Sequence, residues 1–231
     1  MTRQIFASAL FAGLAAGTVA FLLQYLFINP LILEAEAYEA GIRAHFQASL
    51  DAPVQSPAGL DFETTRDLAR DAQTFGFSLI TYTAFALVLL AGMAFAERFG
   101  HAITARSGLI WGLAAFVTVQ LAPAFGLPPE VPGAIGTALE LRQIWWLGCV
   151  IATGIGLALI AFGAATIYPI IGITLMALPH LFGAPHLDTY FGIVPPELAS
   201  RYVTAVLGTS AVSWSVLGGL AGLFWTRLQK D

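Results

Sequence analysis

Residues 143–179 read QIWWLGCVIATGIGLALIAFGAATIYPIIGITLMALP, 37 consecutive positions without a charge. As one helix they would extend about 55 Å, nearly twice the ~30 Å hydrocarbon core of a bilayer, so the chain has to turn back. Small residues at Phe162-Gly-Ala-Ala-Thr166 place the turn, giving one span over 144–161 and a shorter one over 167–182. Pro169, Gly172 and Pro179 interrupt the second piece. It reads as a short crossing or as a re-entrant segment held inside a bundle.

The rest of the chain repeats the signal. Of its 231 residues 58% are hydrophobic and 10% charged, against roughly 25% charged in an average soluble domain. With a mean hydropathy of +0.78, the natural solvent is lipid. Further apolar runs cover about 5–28, 75–96, 107–125 and 202–225. The first is longer than the 7–15 apolar residues usual in a signal peptide, so it reads as a retained helix. Asn29-Pro30 then suits the N-cap and first position of a new helix running from Leu31 to about Ala48, with Glu39 and Arg43 paired at i,i+4. Asp51–Gly59 reads as loop, and a second helix starts near Asp61 and continues into the run at Phe75. The expected fold is an all-α integral membrane protein, a single domain over 1–231. It is a bundle of six or five transmembrane helices with a helical loop outside the cytoplasm between the first two.

Positive charge favours six crossings. Both termini and the 97–106 turn then share the cytoplasmic side with Arg3, Arg98, Arg106, Arg227 and Lys230, while the opposite short loops hold Arg142 and Arg201. With five, the bias disappears. Segment 29–74 then lies outside the cytoplasm and carries 8 of the 14 acidic residues against three Arg. It forms an anionic cap.

Candidate metal ligands lie on that side: His180, His186 and Asp188 in a proline-bracketed loop, and Glu34, Glu36 and Glu39, with His45, on the extension of the first helix. Imidazole and carboxylate suit divalent first-row metals, and grouped carboxylates raise the local cation concentration. Capping histidines and a solvated helix face are the plain alternatives. Gly13/Gly17, Gly108/Gly112 and Gly218/Gly222 are small-xxx-small pairs suited to helix packing in lipid. Trp145, Trp146, Trp225 and Tyr202 fall near span ends, where aromatic rings sit at the interface, and Arg142 reads as reaching headgroups. Cys149, the one cysteine, forms no intramolecular disulfide and reads as a buried packing thiol. No Gly-x-Ser-x-Gly, His-Glu-x-x-His or Walker loop occurs, and no basic block suits nucleic acid. The spans carry no Asp, Glu, Lys or Arg, which leaves amides such as Gln24 and Gln120 to line any ion path.

Five motifs, in order along nearly the whole chain, carry a family resemblance: PLILEAEAYE at Pro30–Glu39, GLPPEVPG at Gly126–Gly133, RQIWW at Arg142–Trp146, PHLFGAPH at Pro179–His186 and PPEL at Pro195–Leu198. In these the chain resembles the CbtA family of bacterial cobalt transporter subunits. The resemblance implies a multi-pass inner-membrane protein of a cobalt uptake system, working beside a small single-span, histidine-bearing subunit. It also implies five spans, where the charge distribution favours six. The expected function is a non-enzymatic permease subunit for Co²⁺ with no permanently bound cofactor. The alternative is an assembly protein that packs with a partner transporter and binds no metal. A lipid-modifying enzyme is disfavoured because the spans hold no acid–base pair.

Overall fold

The computed structural model describes residues 2–43, 67–188 and 192–229. Among them it holds six helices: α1 Thr2–Glu39, α2 Leu68–Arg98, α3 Ala105–Ala124, α4 Leu139–Phe162, α5 Ile167–Phe182 and α6 Pro196–Leu228. All but α5 are long and apolar enough to cross a membrane. The loop expected over Asp51–Gly59, the helix start expected at Asp61 and His45 lie outside the described residues.

Asn29-Pro30 does not end the first helix. Pro30 has no N–H for the carbonyl four residues back, and its ring crowds that turn. A π turn over Gln24–Ile28 absorbs the mismatch: the Asn29 N–H reaches the Gln24 carbonyl, and the helix continues. Asn29 is therefore a helical residue and no N-cap. The same device recurs in α3, where a π turn over Val117–Leu121 precedes Pro123 and the Ala122 N–H reaches the Val117 carbonyl.

The extension of α1 also stops earlier than its expected limit at Ala48. Gly41 takes φ +71°, its N–H bonds the Tyr38 carbonyl, and the Ile42 N–H bonds the Ala37 carbonyl at 2.9 Å. This paired pattern closes a helix on a left-handed glycine. The reversal swings Arg43 back onto Glu34 at 3.1 Å, replacing the expected pair with Glu39. At the start of α2, Asp67 is extended (φ −83°, ψ 101°) and its carboxylate accepts the Ala69 N–H. That N-cap interrupts the helix read as unbroken from Asp61.

Contacts at the two ends of the bundle fix the direction of each helix. At one end Gln4 Nε2 donates to the Leu228 carbonyl at 3.1 Å, and Glu97 Oε2 accepts from Trp225 Nε1 and Gln229 Nε2, both at 3.1 Å. The His101 ring lies 4.7 Å from that of Phe162. Both helical termini, the α2–α3 turn and the α4–α5 turn thus share this end. At the other end Leu31 and Ala35 of α1 pack with Val131 and Leu198, and Trp145 near the start of α4 donates to the Pro179 carbonyl near the end of α5. The six helices alternate in direction, and α5 retraces α4.

The main core joins α1, α2, α3 and α6: Ala9, Ala12 and Ala16, then Leu90 and Met93, then Phe116, then Trp214, Leu217, Ala221 and Trp225. Alanines on α1 let the backbones approach closely, which is how helices gain packing contact in lipid. Trp225 is 1% exposed. It belongs to the core rather than to the interface expected for it. Phe77, Ile80 and Val88 on the outer face of α2 are at least 70% exposed, which suits a surface wetted by acyl chains.

Glycines carry the closest approaches. A Cβ on Gly108 or Gly112 would strike the Gly218 or Trp214 carbonyl, and one on Gly218 or Gly222 would strike the Gly108 or Thr104 carbonyl. On α1, Gly13 and Gly17 face the α2 backbone at Thr83 and Leu79. A third contact, Gly156 against Gly172, joins α4 to α5.

Candidate functional site

At the end away from the termini, α3, α4 and α5 enclose an open cleft of about 680 Å³. Its walls come from the second half of α3 (Val117, Leu121, Ala122), from Trp145 on α4, and from Met176 and His180 on α5, with His186 in the loop beyond. Two adjacent tryptophans near the start of α4 brace this region. Pro123 cannot donate to the Val119 carbonyl, and Trp146 Nε1 takes that place at 3.2 Å. Trp145 Nε1 donates to Pro179 at 3.1 Å. These indoles therefore tie helices together, where membrane-interface anchoring was expected of them.

Arg142, expected to reach headgroups, instead pairs with Glu130 at 2.6 Å. The ion pair fastens the proline-rich segment after α3 to the start of α4. A second cleft, of about 370 Å³, lies over it and is lined by Gln120, Glu130, Arg142, Gln143 and Trp146. Gln120 Oε1 is already engaged by Trp214 Nε1 at 3.1 Å. Glu130 was missed at the sequence level because its partner lies 12 positions away, across a segment with no period.

His180 is exposed toward the first cleft. Its ring meets Trp145 edge-on at 5.8 Å and Phe125 at 6.2 Å, and its Nε2 lies 3.8 Å from the Cys149 Sγ. His186 is exposed at the mouth, its Nδ1 3.2 Å from the Leu187 carbonyl. Asp188 is exposed in the same loop but does not line the cleft.

The glutamates form a separate group on α1. Glu36 takes two hydrogen bonds from Arg70 of α2, at 2.7 and 3.0 Å. That bond holds the Arg70 guanidinium above its ordinary pKa. Glu34 pairs with Arg43, while Glu39 is exposed beside Gly133. Among the described residues no three His, Cys, Asp or Glu side chains gather closely enough to hold a metal ion. The two candidate groups share an end of the bundle without forming one centre.

The Cys149–His180 contact was also missed at the sequence level, although a signal exists. The two residues stand equally far from the middle of the 163–166 turn, and an antiparallel hairpin pairs such positions.

A family model described as a probable cobalt transporter subunit (CbtA) matches residues 2–226, nearly the whole chain. The chain belongs to the CbtA family. No curated protein and no solved structure matches it significantly. CbtA is thus a family of multi-pass transporter subunits rather than a class of enzymes, and its description as a subunit implies a partner in a transport system. In this CbtA chain the cleft between α3, α4 and α5 carries the exposed imidazoles, and the α1 extension carries the carboxylates.

Proposed function

We propose that the chain is the membrane permease subunit of an uptake system for Co²⁺ or a related divalent cation, with no chemistry performed on its substrate. It would lie in the bacterial inner membrane with both termini cytoplasmic and segment 29–74 outside. The excess of Arg and Lys at the end holding the termini supports that orientation. The observation that carries the reading is an imidazole-lined cleft, at the end away from the termini, in a chain of a cobalt transporter family. His180 and His186 supply exchangeable ligands at its mouth, with Asp188 beside them. Glu39 draws cations toward that end, and Glu34 and Glu36 add to its negative charge less effectively because each is paired. Weak, stepwise binding suits passage, since an ion held tightly is not released. By family resemblance the partner is a small single-span subunit bearing histidines.

The test is radiolabelled Co²⁺ uptake by cells expressing the chain with its genomic neighbour. His180→Ala combined with His186→Ala is expected to abolish uptake at unchanged protein level. Unaltered uptake in that variant sinks the site assignment.

One observation favours a second reading, an assembly subunit that binds no metal itself: the described residues gather no three-ligand cluster. On that reading calorimetry of the purified chain with Co²⁺ gives no heat, and packing glycines matter more than either histidine.

A further inference from the structure

We infer that Cys149 and His180 form an inner, soft-donor binding site for the transported cation, one step deeper than the cleft mouth. The inference rests on the permease reading above and names the ligand chemistry that such a path would use. Cys149 has no exposed surface and lies under the His180 ring, with Sγ and Nε2 3.8 Å apart. Nitrogen and sulfur bound to one tetrahedral divalent ion stand about 3.6 Å apart, given metal–nitrogen bonds of about 2.05 Å and metal–sulfur bonds of about 2.3 Å. The pair already stands near the separation that a shared ion requires. A shift of the His180 side chain, which has free space on the cleft side, opens the gap between them.

Two further groups lie on the same α4–α5 seam. The Thr153 hydroxyl, one turn beyond Cys149, is fully buried and has no nitrogen or oxygen partner; the Cys149 thiol is the polar group it faces. Helical threonines ordinarily bond the carbonyl four residues back, and Thr118, Thr174 and Thr204 do so here. Thr153 does not, so its buried hydroxyl is left to the thiol beside it. Met176, one turn before His180, lines the cleft and lies across Gly156. A Cβ at 156 would meet both the Met176 side chain and the Gly172 carbonyl.

Imidazole, thiolate, thioether and hydroxyl thus follow one another inward. Thiolate and imidazole favour Co²⁺, Ni²⁺ and Zn²⁺, whereas Mg²⁺ and Ca²⁺ prefer oxygen ligands. Binding replaces the thiol proton, which leaves to water in the cleft, and the ion plus one thiolate keeps a net charge of +1. That residual charge in an otherwise uncharged seam keeps the stay short.

The test is absorbance of the purified full-length chain in detergent, titrated with CoCl₂. The wild type is expected to develop a near-ultraviolet thiolate-to-cobalt charge-transfer band that Zn²⁺ abolishes and Mg²⁺ leaves unchanged. Cys149→Ser and Cys149→Ala remove the band. His180→Ala weakens binding by at least about tenfold, the loss that even an outer-shell partner causes in metal sites. A wild type without the band at saturating Co²⁺, or a band that survives both Cys149 variants, overturns the site, and the wild-type spectrum decides even if the variants fail to fold. Uptake separates this result from the permease reading. If the double histidine variant loses uptake while Cys149→Ser binds and transports Co²⁺ like the wild type, the thiol site falls and the permease stands. If the wild type neither binds nor transports, both fall.

Discussion

Glu34, Glu36 and Glu39 lie within two turns of helix, yet their surroundings make them different residues. Glu36 bridges α1 to α2 through Arg70, and Glu34 is drawn onto Arg43 by the reversal at Gly41. Glu39 faces solvent without an ion pair among the described residues. An unpaired carboxylate acts on a cation at a distance, and salt screens that action over about 8 Å at physiological ionic strength. Glu39→Gln is therefore expected to raise the Co²⁺ concentration for half-maximal uptake about twofold at low ionic strength and hardly at all near 0.15 M. Glu36→Gln is expected to lower the unfolding free energy by about 0.5 kcal/mol, as for a half-exposed ion pair, while Glu39→Gln leaves it unchanged. Uptake kinetics at two salt concentrations, with denaturant titrations of both variants, check the pair of expectations. An equal loss of stability in the two would refute the distinction.

At the scale of the element, close approach without side chains holds α3 to α6. Gly108 and Gly112 meet Gly218 and Gly222 backbone to backbone, so any Cβ there enters a carbonyl of the facing helix. Gly219, the next position along α6, has nothing within 4 Å of an added Cβ. Gly218→Leu is expected to cost about 3 kcal/mol or more, the upper range of overpacking, because neither helix backbone can yield without separating the pair. Gly219→Leu should be tolerated within about 0.5 kcal/mol, as at an open surface. Folded yield after detergent extraction and unfolding titration in mixed micelles compare the two. Similar damage from both would mean that this seam does not hold the bundle.

For the whole molecule, six alternating helices bring Gln4 onto Leu228. The α5 helix, 16 residues long, rises about 24 Å against a core of about 30 Å. It retraces α4 from the 163–166 turn at the terminal end as far as the His180–Cys149 contact, leaving the first turns of α4 beyond it. Single cysteines placed at Gln4, Gln229 and Ala184 in a Cys149→Ser background therefore make a topology experiment with a membrane-impermeant thiol reagent. The first two are expected to react only from the cytoplasmic side of inverted vesicles, and the third only from the outside of intact spheroplasts. Labelling of positions 4 and 229 from opposite sides would exclude an even number of crossings.

Much of this was legible without coordinates. A 37-residue run without charge cannot fit one crossing, so the hairpin of α4 and α5 follows from length and hydrophobicity alone. The glycine pairs could be read as packing surfaces because in lipid a missing side chain is itself a signal. Local rules misled where tertiary contacts compete with them. Asn29-Pro30 has the chemistry of a helix start, but a π turn lets the helix pass, with Ile28 before the break and Leu31 and Ala35 after it buried against the bundle. Trp225 has the chemistry of an interface residue, but Glu97 from α2 supplies its indole with a partner inside.

By itself, the sequence determined the solvent, the class of fold, the number of apolar elements and the membership of a cobalt transporter family, since these depend on composition and on patterns along one chain. Only the tertiary structure decided which charges are cancelled, which carbonyls the tryptophans cap, and which donor lies under His180. Those depend on side chains brought together across helices, and hydrogen bonds and ion pairs act over a few ångströms of space whatever the distance in sequence.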